Sequence, residues 1–173
     1  VHEVPRGERV EPPWVDRERP ILLGWLEFHR RTLEWKCEGL TPDQLCLRSV
    51  PPSSLSLVGL VRHMTDVERG WFRRGFDGEE IGALYEYSPD GVDEAFDVLD
   101  ADRAIQSIDL WRQECAIARS IVDRHSLDDV AVAPYRGERL GLRWVVTHMI
   151  EEYARHNGHA DFLRERIDGL VGE

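Results

Sequence analysis

Four long stretches of this chain place apolar residues three and four positions apart, and no convincing run alternates as a half-buried strand does. Helical stripes of this kind must be buried against one another. The pattern therefore predicts an all-α fold, a four-helix bundle. The first stripe is Ile21, Leu22, Trp25, Leu26, His29 and Leu33, with Asp16 placed to cap its start and Gly39 to end it. The second is Leu57, Leu60, Met64, Val67 and Trp71. It follows the possible caps Ser53, Ser54 and Ser56 and extends to about Phe76. A third helix over about Asp100–His125 is expected to bury Ile105, Ile108, Cys115, Ala118 and Val122. The fourth begins near Leu140 and reaches about Ile167, before Gly169.

The joints are equally legible. Pro5, Pro12 and Pro13 mark residues 1–15 as an extended arm. Thr41-Pro42-Asp43-Gln44 combines a cap, a proline at the first helical position and a glutamine three residues after the cap, which predicts a short helical turn. Pro51-Pro52 breaks the chain again. Residues 77–99 are rich in Gly, Asp and Glu and contain the turn Ser88-Pro89-Asp90-Gly91. They form a long connection able to cross the bundle, with a short helix expected around 93–99. Residues 126–139, with Pro134 and Gly137, form a further loop. The length of 173 residues is that of one domain, taken as 1–173.

Charge narrows the function. Lysine plus arginine total 22 against 33 aspartates and glutamates, a net charge of −11. Nucleic acid and anionic membranes both need a basic face, so neither is an expected partner. No stretch approaches the ~20 apolar residues that span a bilayer, and no signal-peptide pattern is seen. Cys37, Cys46 and Cys115 are widely spaced and form no CxxC pair. They are expected to be reduced, in a cytoplasmic protein. There is no phosphate-binding glycine loop, no GxSxG and no HExxH.

The fourth helix carries the chemistry. With Val145 at zero and about 100° per residue, Met149 and Ile167 fall near 40° and Leu163 near zero. Glu152 falls near −20° and His156 near +20°, about the middle of that stripe. An ionised glutamate in a core needs compensation. Its i, i+4 spacing to His156 lets both side chains project to one point, where a divalent cation would use both. His63, on the flank of the second stripe, is the best third ligand. His63, Glu152 and His156 would leave a coordination position open, as catalytic zinc sites do. The same residues also suit a satisfied polar core, with Glu152 paired to Arg143, Arg155 or a histidine.

Two segments together resemble a known family. Pro51–Met64 (PPSSLSLVGLVRHM) with Glu68-Arg69-Gly70-Trp71-Phe72 resembles the second helix of the DinB-like superfamily, and Arg143–Asp161 (RWVVTHMIEEYARHNGHAD) resembles its final helix. The nearest branch is the DUF664 type, and the resemblance runs from about Glu8 to Ile167. It implies a four-helix bundle, usually a homodimer, with a metal, often zinc or nickel, held by three side chains. It also implies kinship with thiol-dependent enzymes that use mycothiol or bacillithiol, among them mycothiol-dependent maleylpyruvate isomerase. His63 and His156 match two of the family's usual histidine ligands. Glu152 stands where the remaining ligand is usually histidine, although the isomerase branch also resembles a His-Glu-His set, and Asn157-Gly158-His159 replaces an Arg-Gly-Gln.

The function expected on this basis is a divalent-metal-dependent transferase or isomerase. It would present a low-molecular-weight thiol, mycothiol as cosubstrate, to an electrophilic small molecule. A metal-hydroxide hydrolase is the variant within that class. A non-catalytic, stress-related bundle with a structural metal or polar core is the alternative outside it. His148, His159 and Asp66 are candidates to orient the ligands. His29 is expected in the core, and Trp71 and Trp144 can line a pocket. Arg62, Arg69, Arg73 and Arg74 are expected to form a solvated face.

Overall fold

The computed structural model describes residues 9–172. Its helices are α1 (Glu18–Cys37), α2 (Pro42–Cys46), α3 (Leu57–Glu68), α4 (Glu94–Asp97), α5 (Ala104–Asp123) and α6 (Leu142–Asp168). Among the described residues there is no strand, only three isolated β-bridges. Residues 9–15 are without helix, and the rest of the expected arm lies outside the described residues.

Four long helices make the bundle. α1 packs mainly on α6, and α3 on α5. Direction follows from the cross-links. Arg143, at the start of α6, reaches Glu18 at the start of α1, while Arg164 near the end of α6 donates to the carbonyls of Lys36 and Glu38. The two helices are therefore parallel, and Arg164 satisfies carbonyls that the end of α1 leaves open. Arg62 pairs with Ser107, and Asp77 with Arg124, so α3 and α5 are also parallel. Parallel neighbours require a long crossing, and residues 77–99 supply it.

That crossing explains a correction. Three of the four arginines expected on a solvated face lace the connection onto the bundle instead, and Arg74 turns to the Tyr135 hydroxyl. Arg62 is buried and donates to Val98 O, Arg69 donates to Gly82 O, and Arg73 holds Glu79. Asp66 accepts the backbone N–H groups of Leu84 and Tyr85. A backbone strand without regular structure has donors and acceptors to satisfy, and these side chains satisfy some of them.

Local signals mostly hold. Thr41 and Gln44 form the reciprocal capping box, Ser56 accepts from Gly59 N, and Gly169 ends α6 at φ 81°. Asp16 does not cap α1. Its carboxylate turns to the N–H of Arg17, the residue at the cap position. The segment after Glu68 is helical to Phe76 as expected, but it is a π-helix over Arg69–Phe76. Two apolar residues assigned to buried stripes face solvent: Trp25 is 42% and Ile105 50% exposed.

The core combines the aliphatic stripes with one polar cluster drawn from all four long helices. Glu68 of α3 receives Arg30 of α1 through Nε and Nη2, at 2.8 and 2.7 Å. Tyr153 of α6 donates to the same carboxylate at 2.7 Å and accepts from Trp111 Nε1 of α5 at 2.9 Å. Glu68 and Tyr153 have no exposed surface. Burying a carboxylate this deeply is tolerable because a guanidinium and a hydroxyl fill its lone pairs.

Candidate metal centre

His63 projects from α3 and Glu152 and His156 from α6, and the packing of those helices brings the three together. One donor atom of each lies within 4.8 Å of the others. His156 Nε2 is 3.4 Å from Glu152 Oε2, and the rings of His63 and His156 meet edge-on with centroids 4.6 Å apart. Gly59 sets the other wall. A Cβ there would come within 2.7 Å of Phe96, so the glycine lets α4 close on α3 and places Phe96 beside His63 at 5.8 Å.

Glu152 and His156 lie on the edge of the buried face of α6, not in its middle; their side chains are 18% and 13% exposed. The buried stripe includes Tyr153, Asn157 and Arg164, which turn inward and rotate its centre away from the aliphatic residues alone. The centre is thereby shielded on one side and open on the other.

Neither guanidinium available to Glu152 in the sequence takes it. Arg143 holds Glu18 and Asp128, and Arg155 pairs with Glu151. Glu152 is instead bracketed by imidazoles, with His148 Nε2 3.6 Å from Oε1 on one side and His156 on the other. Burial holds His63 below the ordinary histidine range, against the opposing pull of Glu152. Burial, and then the neighbouring His63, lower His156 to about 4. Burial thus favours the neutral, lone-pair-bearing form of both rings. Two neutral imidazoles and one carboxylate are a donor set that zinc or nickel accepts. The 3.4 Å separation suits two donors of one tetrahedral zinc, whose bonds are about 2.0–2.1 Å.

The surrounding side chains differ in what they touch. His159 Nδ1 is 3.3 Å from His156 Nδ1, so it engages the nitrogen turned away from Glu152. His148 stacks on Trp144 at 4.9 Å and meets the edge of Trp71 at 4.7 Å. Asp66 spends both oxygens on the crossing described above. His148, Glu151 and Glu152 form a second group with donor atoms inside the same distance, but Glu151 is exposed and shared with Arg155.

A family profile described as Mycothiol-S-transferase matches residues 21–169, most of the chain. The chain belongs to the mycothiol S-transferase family. This places it in the DinB-like superfamily, as the two motif segments lead one to expect. No curated protein matches it in a sequence comparison. The matched span of this mycothiol S-transferase family member holds all three candidate ligands and both indoles beside His148.

Sequence reasoning missed the polar cluster around Glu68 and the part played by the π-helix. Arg30, Glu68 and Tyr153 are spaced on three helices, and no local pattern links them. The π-helix leaves a mark only as Gly70 and Gly75 inside an otherwise helical run. It supplies Trp71 to His148, at a kind of irregularity that recurs at functional sites.

No helix among the described residues is long and apolar enough to cross a membrane.

Proposed function

We propose that His63, Glu152 and His156 hold a divalent metal, zinc or nickel, and that the protein is a thiol-dependent transferase. Its substrates would be mycothiol and an electrophilic small molecule. The observation that carries this reading is the convergence of the three donor atoms around a Glu152 that, among the described residues, no arginine or lysine neutralises. The family supports the thiol. A divalent cation, when bound, makes a coordinated thiol a far stronger acid and so supplies thiolate at neutral pH.

The chain's own residues do the rest. Glu152 supplies negative charge at the centre, and His159 fixes the ring of His156 through its Nδ1. Trp71 and Trp144 hold His148 in place, and its Nε2 is the base that receives the thiol proton. The sulfur forms a bond to the electrophilic carbon, the leaving group departs with the electron pair of the bond that breaks, and His148 returns the proton to it. Thiol and electrophile become thioether and protonated leaving group, with nothing else consumed. The half-open position of Glu152 and His156 admits both substrates. The reading includes a cytoplasmic homodimer, as the superfamily implies.

The deciding experiment is metal analysis of protein purified without added metal, alongside His156→Ala. About one metal per chain, lost in the variant while helicity and stability are largely kept, is expected. No metal, with a heavily destabilised His156→Ala, overturns the reading in favour of a structural polar centre. A thiol titration of the cobalt-substituted protein separates transferase from hydrolase: absence of any thiolate charge-transfer band removes the transferase.

A further inference from the structure

A cavity of about 450 Å³ lies beside the candidate metal centre. Its walls are Trp71, Tyr135, Leu140 and Trp144, so its interior is aromatic and apolar. Trp71 touches Tyr135 and Trp144 edge-on at 5.6 and 5.3 Å, and both indoles contact His148, which stands against Glu152. One unbroken run of contacts therefore joins the cavity to the candidate ligands.

Its rim is charged against the trend of the molecule. Arg136 and Arg139 line it, and Arg74 donates to the Tyr135 hydroxyl at 3.0 Å. Among the described residues, no carboxylate stands within ion-pair distance of any of the three. Arg69 and Arg73, on the same π-helix, show the contrast, since both are held by Glu114. Arg74 also keeps its Nε buried without a partner. Among the described residues, Glu138 is the one acid in the lining. Two lining guanidiniums against one lining carboxylate, with Arg74 behind Tyr135, form a local positive site in a protein of charge −11.

The backbone holds one of these cations in place at a cost. Arg136 has φ 52° and Gly137 φ 87°, inside a tight turn closed by hydrogen bonds between Tyr135 and Glu138. The first of two positive-φ positions in such a turn favours asparagine, aspartate or glycine. An arginine there is strained, and strain of this kind gathers at ligand clamps.

We propose that this cavity binds an aromatic carboxylate, the electrophilic partner of the thiol. The ring lies among Trp71, Tyr135 and Trp144, and the carboxylate meets Arg136 and Arg139, with Arg74 behind Tyr135. Planar guanidiniums match carboxylates in a two-point fork. A neutral polyol stacked on the same indoles would leave these cations unused. As a substrate pocket the assignment rests on the thiol-transfer reading; as a binding site it stands apart from it.

Isothermal titration calorimetry with 1-naphthoate, its neutral amide 1-naphthamide and myo-inositol tests it. The proteins are the wild type, the double variant Arg136→Gln/Arg139→Gln, Trp144→Ala and the metal-site variant His156→Ala. Naphthoate is expected to bind saturably and the amide about tenfold more weakly. The double variant should lose about tenfold in naphthoate affinity and little for the amide. Trp144→Ala should weaken both aromatic probes, and His156→Ala should bind naphthoate as the wild type does. Equal affinity for acid and amide, indifference to the arginines, tighter binding of inositol, or no naphthoate binding at millimolar concentration overturns the proposal. Charge-dependent naphthoate binding by a protein that takes up no metal would sink the thiol-transfer reading and leave the pocket standing.

Discussion

The Tyr153 hydroxyl donates a 2.7 Å hydrogen bond to Glu68 Oε1 across the bundle interior, while its sequence neighbour Glu152 points to the open edge. One residue along α6 thus separates the bundle's buried polar lock from its candidate chemistry. Tyr153→Phe strips Trp111 Nε1 of its acceptor and Glu68 of a donor, and should destabilise by about 1–3 kcal/mol. Arg30→Met leaves Glu68 buried without its cation, and should cost about 3–5 kcal/mol. Urea unfolding reads both. Metal content should not change in Tyr153→Phe.

Cysteine chemistry should be silent. Burial, and next the Glu68 charge 3.6 Å away, push the Cys115 thiol far up, and burial pushes Cys37 up to about 12. The thiolate is the reactive form, so neither residue should react with iodoacetamide in the native protein at pH 8. Mass spectrometry after labelling should find modification at Cys46 alone, at a reduced rate, because its half-buried thiol is also raised. Rapid labelling of Cys115 would reopen a protein-borne nucleophile and weaken the case for an external thiol.

Much of this architecture is legible in the sequence. The stripes of Leu57, Leu60, Met64 and of Val145, Met149, Leu163 place the helices, because apolar burial dominates their packing. His63, Glu152 and His156 stood out because two share a helix face and the third fits a motif. What stayed hidden was non-local. Arg30 and Glu68 are unremarkable alone, and Tyr153 and Asn157 carry both apolar body and polar tip, so periodicity could not tell which way they turn. Ile105 and Trp25 failed because a hydrophobic residue at the right spacing is not obliged to be buried.

The histidines around the centre should separate by what they touch. His159 reaches His156 Nδ1 directly, so His159→Ala should weaken zinc affinity by about 10–100-fold. His148 faces Glu152 at 3.6 Å from the side of Trp71 and Trp144, so His148→Ala should lower turnover while zinc affinity stays within a few-fold. Competition with a chromophoric chelator measures the first and thioether formation the second. Equal effects of both variants on zinc would contradict the assigned roles.

Acid should loosen the α1–α5 seam. Burial raises Glu27, but hydrogen bonds and charges from Arg119 and Arg30 outweigh it and bring the group below its ordinary 4.5. Glu34 behaves likewise between Arg112 and Arg31. A carboxylate whose folded pKa is lowered adds stability that is fully present above the unfolded value and is lost as pH falls through the folded one. The urea midpoint should therefore decline below pH 4.5. Glu27→Gln should be less stable than wild type at pH 7 and show a shallower decline with acid. A parallel decline in the variant would assign acid sensitivity to other groups.

Metal removal distinguishes a site built on a finished bundle from a staple that makes the bundle. The apolar core and the Glu68 cluster lie inside the helices, and the candidate donors stand on their edge. Chelator-treated protein should keep its helical circular dichroism, unlike a domain that folds only around zinc. Any ligand that binds only the folded state still raises stability by mass action, by about 2.7 kcal/mol at a hundredfold excess over Kd. For a domain of this length that is roughly 5–10 °C in Tm. Zinc should produce that rise in the wild type and none in His156→Ala. A zinc-dependent rise that survives in His156→Ala would move the metal elsewhere, and helix loss on chelation would make it structural.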